Sequence, residues 1–121
     1  MARLKLRLVF DGAMFGPGKA ELLQQIGETG SIAAAGRAMG MSYKRAWLLV
    51  EEMNGAFSQP LVASSRGGPG GGGALLTDEG VEVLRLYHGV LDQALTASAS
   101  QISQLEAMLR PAVALDMSAG K

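Results

Sequence analysis

Residues 31–55, SIAAAGRAMGMSYKRAWLLVEEMNG, read as two helices joined by a turn too short for anything but a tight corner. Ile32, Ala35 and Met39 mark the inner face of the first helix. Ala46, Leu49, Val50 and Met53 mark that of the second, at the spacing of an amphipathic helix. Gly40 stands where a glycine ends a helix, and Ser42 where a side-chain oxygen caps the next one. A short helix, a glycine turn and a longer helix form the unit that many proteins insert into the DNA major groove.

The second helix carries a local contradiction. Lys44 and Arg45 fall in its first turn, where the helix dipole favours acids, and each misplaced cation costs about 0.3–1 kcal/mol. Either both are solvated surface charges, or they and the positive helix end address an external anion such as a phosphate backbone. At about 100° per residue from an inward Ala46, the residues Lys44, Arg45 and Leu48 point outward, with Tyr43 and Trp47 flanking the buried stripe. Glu51 and Glu52 also point outward two turns on, where phosphate would repel them. Only the N-terminal half of this helix is suited to touch DNA.

The 121 residues make one ordinary domain with a modest core. With no cysteine there is no disulfide scaffold and no cysteine-based zinc site, which fits a reducing cytoplasm. The start MARLKLRLVF lacks the apolar run of a signal peptide, and no segment reaches the roughly 18–20 apolar residues of a membrane span. A soluble cytoplasmic protein is expected. The zero net charge hides an asymmetry: residues 1–50 hold seven basic residues against three acids, residues 51–121 four against eight. Phosphate attraction follows the local field, so a basic first half matters more than the total.

Outward from the two helices, Leu4, Leu6, Leu8 and Phe10 alternate with Lys5 and Arg7, which predicts a half-buried strand over 4–10. Residues 11–18 read as a turn, and Pro17 or Gly18 opens a helix to about Thr29 that buries Leu22, Leu23 and Ile26. Gly30 ends it and Ser31 caps its successor. After Gly55, residues 61–65 and 74–77 are short strand candidates around the glycine loop RGGPGGGG of residues 66–73. Strand, loop and strand after a helix-turn-helix form a wing. Arg66 is the loop's only cation and its candidate phosphate contact, with Gly67 and Gly68 beside it. A ligand-free hairpin tip is the competing reading. Nucleotide binding is not expected, because no Lys-Ser/Thr pair follows the last glycine and no βαβ unit surrounds the loop.

Thr77 caps a long final helix, with Asp78 and Glu79 in its acid-favoured first turn and Pro111 as its stop. Written in sevens, one seam holds His88, Leu95, Ile102 and Leu109, the other Leu84, Leu91, Ser98 and Leu105. A helix of roughly 33 residues is about 50 Å long, whereas a domain this size is about 28 Å across. Its far half therefore needs a partner, most simply the same helix of a second subunit. A break near residues 96–100 that folds the helix back is the alternative. The predicted dimer contacts are Leu84, His88, Leu91, Leu95, Ile102 and Leu105. His88 has no second metal ligand nearby and reads as a partly buried packing residue, and Trp47 reads as fixing its helix against the core. No nucleophile, acid–base pair or metal set stands in a recognisable arrangement, so no enzyme is expected.

The triplet Gly30-Ser31-Ile32, then Ser42-Tyr43-Lys44 with Ala46-Trp47, then Glu52-Met53-Asn54, resemble the DNA-binding domain of the ModE-type molybdenum-responsive transcription regulators. The glycine loop followed by Ala74-Leu75-Leu76-Thr77 is similar to that family's wing, and Leu86-Tyr87 to its linker helix. The resemblance covers about residues 20–92. It implies a LysR-like winged helix-turn-helix, dimerised through flanking helices on a palindromic operator. The family's longer members continue into β-rich domains that bind molybdate or tungstate, and this sequence has no such region. No cofactor is therefore expected of this chain by itself.

The sequence thus predicts a mainly α (α+β) fold. Residues 1–77 form a winged helix-turn-helix with an N-terminal strand and a two-stranded wing, residues 78–110 a dimerisation helix, and residues 111–121 a disordered tail. Ser42, Tyr43, Lys44, Arg45 and Leu48 are the expected groove contacts, with Arg66, Gly67 and Gly68 along the backbone. Lys44 is the expected base reader, and Leu48 can meet a thymine methyl. The expected partners are double-stranded DNA and a second copy of the chain, with no membrane. The alternative is an interaction module whose long helix pairs with another regulator without reading DNA. A small oxyanion carrier is a third reading, which nothing in the sequence supports with a cluster of fixed donors.

Overall fold

The dipeptide Asp11-Gly12 turns the start of the chain back on itself. In the computed structural model, which describes residues 2–65 and 73–111, β1 (Leu8–Phe10) pairs antiparallel with β2 (Ala13–Phe15). Phe10 faces Ala13 across a two-residue turn in which Gly12 has φ +80°, the conformation that favours glycine. This corrects two expectations. The strand covers 8–10 rather than 4–10, because β2 ends where Gly16 and Pro17 begin a helix and leaves residues 4–7 no partner. Residues 11–18 hold a strand as well as a turn. Leu4 and Leu6 keep the predicted alternation, half-buried, without a ladder.

Helix α1 (Pro17–Thr29) starts on its proline and buries Leu22, Leu23 and Ile26 completely. Gly30, at φ +72°, ends it by donating its N–H to the Ile26 carbonyl at 2.8 Å. Ser31 Oγ accepts from the Ala34 N–H at 3.0 Å and so caps α2 (Ile32–Ala38). Gly40, at φ +73°, turns the chain into α3 (Tyr43–Ala56). The two helices cross closely at Gly36, where a Cβ would stand 3.0 Å from the Ala46 Cβ. A larger pair there would splay the helix-turn-helix.

The wing is β3 (Val62–Ser65) against β4 (Gly73–Leu76), antiparallel, with Val62 opposite Leu76 and Ser65 opposite Gly73. β3 ends at Ser65 as expected but starts one residue later, and β4 is shifted one residue earlier, since Leu61 and Thr77 serve as anchors and Gly73 pairs with Ser65. The Ala74 N–H donates to the Gly30 carbonyl at 2.9 Å, tying the wing to the end of α1. Residues 66–72, including Arg66, Gly67 and Gly68, lie outside the described residues.

Thr77 Oγ1 accepts from the Gly80 N–H at 3.0 Å and caps α4 (Asp78–Met108), which continues unbroken through residues 96–100. The fold is therefore a mainly α winged helix with a long C-terminal helix. Leu84 and Tyr87 of α4 join the core formed by α1, α3 and the wing. Phe15 meets the Tyr87 ring edge-on at 5.1 Å, and the Tyr87 hydroxyl donates to the Leu6 carbonyl. Burial pushes that phenol above its ordinary pKa. Beyond Tyr87 no described α4 residue is buried, although the helix runs 21 residues further, about 30 Å.

Candidate nucleic-acid interface

Between Glu28 and Glu51 the chain carries three cations, Arg37, Lys44 and Arg45, and no acid. The fold brings all three to one end of the helix-turn-helix, because Arg37 lies in the last turn of α2 and the others in the first turn of α3. All three are exposed, and among the described residues none is in an ion pair. Ser42 Oγ accepts from the Arg45 N–H at 3.0 Å, as its position predicts. The first turn of α3 holds no acidic residue to meet the remaining amides or the dipole.

The inward face of α3 is as expected: Ala46, Val50 and Met53 are buried and Leu49 half-buried. Leu48, on the opposite face, is 48% exposed, and Tyr43, beside the buried stripe, is 57% exposed; Ser42, Lys44 and Arg45 are exposed as well. Glu52 leans away from these residues, pairing with Lys19 Nζ of α1 at 3.2 Å. That pairing offsets one of the two acids expected to repel phosphate. Glu51 stays exposed and confines the usable surface to the first half of α3.

Two side chains differ from expectation. Trp47 is 42% exposed, so it only partly packs against the core and leaves the rest of its ring to a notch facing the wing. His88 is exposed on α4 rather than partly buried. In the single protomer it stands on the outward side of α4 beside the buried Tyr87, on the seam that a second subunit is expected to cover. The other seam positions divide. Leu84 is spent in the protomer's own core, Leu91 and Ile102 are half-buried, and Leu95 and Leu105 are exposed at 41% and 63%.

No family model matches the chain. It is 44% identical over 79 residues to the molybdenum-pterin-binding protein MopB of Rhodobacter capsulatus, covering 65% of this chain and 29% of that protein. It is 41% identical over 85 residues, 70% of this chain and 30% of the relative, to the transcriptional regulator ModE of Yersinia pestis. It is 39% identical over 87 residues, 71% and 33%, to the DNA-binding transcriptional dual regulator ModE of Escherichia coli K12. Over those spans the chain is similar to ModE regulators and to a molybdenum-pterin-binding protein. It covers only about a third of the length of the curated relatives it matches.

One positioning residue carries no signal in the helical pattern. Asn54, late in α3, accepts from the backbone N–H groups of Leu61 and Val62 at 2.8 and 3.1 Å and donates to the Val62 carbonyl at 3.1 Å. A single amide thus fixes the start of the wing against the helix that carries Lys44. Asn54→Ala leaves three half-buried backbone groups to find water, and an expected loss of about 1–2 kcal/mol follows. Chemical denaturation measures it, and Asn54→Asp, which keeps the acceptor and loses the donor, should fall between.

Proposed function

We propose that this chain is a sequence-specific DNA-binding transcription regulator that acts as a homodimer on a palindromic operator in molybdenum-related gene control. The observation that carries the reading is the Lys44–Arg45 turn, acid-free and without an ion pair among the described residues, on an exposed helix start. Cations that cost stability in the free protein are explained when a polyanion compensates them. The names of the relatives supply the regulatory and molybdenum context. They describe binders rather than enzymes, and the reading is of a binder. The subunits pair through the open part of α4, where Leu105 and Met108 are 63% and 81% exposed. Two subunits on a two-fold axis place half-sites about one helical turn, or a multiple of it, apart.

Selection of bound duplexes from a random pool, with and without molybdate, tests the reading. A recovered palindrome supports both sequence reading and two-fold symmetry. A chain that retains no sequence selectively is the interaction module instead. Arg66→Ala is expected to weaken all duplexes alike and to flatten the plot of log K against log salt by about one unit. An unchanged slope would separate Arg66 from the DNA backbone.

A further inference from the structure

Trp47 and Tyr43 stand one turn apart on the side of α3 that faces the wing, and together with Ser31, Ile32, Ser64 and Ala74 they line a notch. Among the described residues no carboxylate lines this notch, although Glu51 borders the adjoining hollow that Trp47 also flanks. A helix seated in one groove and a strand pair standing beside it flank a single DNA strand. The backbone of that strand has to cross whatever lies between them. Here that is the Trp47 ring.

We propose that this notch seats the sugar–phosphate ridge between the two grooves, the deoxyribose lying on the Trp47 indole and the hydroxyls of Ser31 and Ser64 facing the adjoining phosphates. The assignment rests on the DNA-binding reading above. An indole offers a flat apolar face to a sugar and one N–H donor to a phosphate oxygen, and Trp47 has no hydrogen-bond partner among the described residues. Ser31 Oγ already accepts from the Ala34 N–H, which leaves its own proton to donate outward. Ser64 is exposed on β3, opposite Ala74. Such contacts fix register on the duplex and carry no sequence information.

Trp47 is the chain's single tryptophan, so indole fluorescence reports the surroundings of this one ring. The full chain is titrated with fluorescein-labelled duplexes of pool-selected and of random sequence. Anisotropy of the label reads binding independently of the indole. The expected result is that acrylamide quenching of Trp47 falls severalfold on both bound duplexes. Trp47→Phe, which keeps an apolar ring but loses the N–H and part of the flat face, should weaken both about two- to tenfold and leave sequence preference intact. Duplex bound by anisotropy with Trp47 still fully open to acrylamide overturns the seating while the DNA-binding reading stands. Trp47→Phe at full affinity, or with altered preference at one base position, overturns it equally. Failure of the wild-type chain to bind any duplex removes both readings together.

Discussion

Gly80→Ala is expected to lower the stability of the folded chain by about 2–3 kcal/mol, a large effect for one methyl group. A Cβ at Gly80 would stand 2.2 Å from the Leu61 carbonyl oxygen, and that atom belongs to backbone that no rotamer change can move. The first turn of α4 would have to retreat by about 1 Å to restore ordinary contact. Two bonds cross the same junction: the Thr77 N–H to the Leu61 carbonyl at 3.0 Å, and the Thr77 hydroxyl to the Pro60 carbonyl at 2.7 Å. Both stretch if the turn retreats. Alanine's better helix propensity returns about 1 kcal/mol and does not reverse the sign. The thermal midpoint should drop on the order of 10 °C. Val81→Ala, one residue on and 55% exposed, should change stability by less than about 0.5 kcal/mol. Equal midpoints for the two variants would show that the approach of α4 to Leu61 does not set the junction. Because Leu61 leads directly into β3, the displaced turn would also shift the wing against α3.

Whether a feature could be read from the sequence depended on how local its cause is. Ser31, Ser42 and Thr77 each cap a helix through an N–H three residues on, so their side-chain chemistry announces the boundary. The stripe Ala46, Val50 and Met53 follows from helical period alone. Strand β2 is three residues long, too short for an alternation to register, although Asp11-Gly12 is a hairpin signal in its own right. The Leu6 carbonyl finds Tyr87 81 residues away, a pairing that no local pattern encodes. What Asn54 and Trp47 do was hidden for a related reason, although both stand in the motifs that carry the family resemblance. The role of Asn54 depends on where the chain returns after Pro60. Trp47 lies at the edge of the buried stripe, where the wing and not the helical period decides its exposure. The open surface of Lys44, Arg45 and Leu48 was legible because rotation from Ala46 places it, whereas Arg66, Gly67 and Gly68 lie outside the described residues.

Lys44→Ala is expected to cost about 1–3 kcal/mol on the selected duplex, five- to 150-fold in affinity, and to relax preference at one position per half-site. Lys44 and Leu48 lie on the side of α3 opposite the buried Ala46 and Val50, the direction in which a helix seated in a groove meets base edges. An ammonium on a long stem can reach guanine O6 and N7 there, while Leu48 at 48% exposure supplies an apolar contact to a thymine methyl. Arg45 is rotated about 100° from Lys44, toward the groove wall, and divides between base and phosphate. Removing a phosphate contact weakens every duplex by the same factor and lowers the salt slope. Removing a base contact instead narrows the gap between selected and random DNA. The decisive quantity is therefore the ratio of the two affinities at fixed salt. A ratio that collapses in Lys44→Ala and persists in Arg45→Ala makes Lys44 the reader. A ratio untouched by Lys44→Ala moves sequence reading onto Arg45 and Leu48, and the exposed cation at residue 44 then serves the backbone alone.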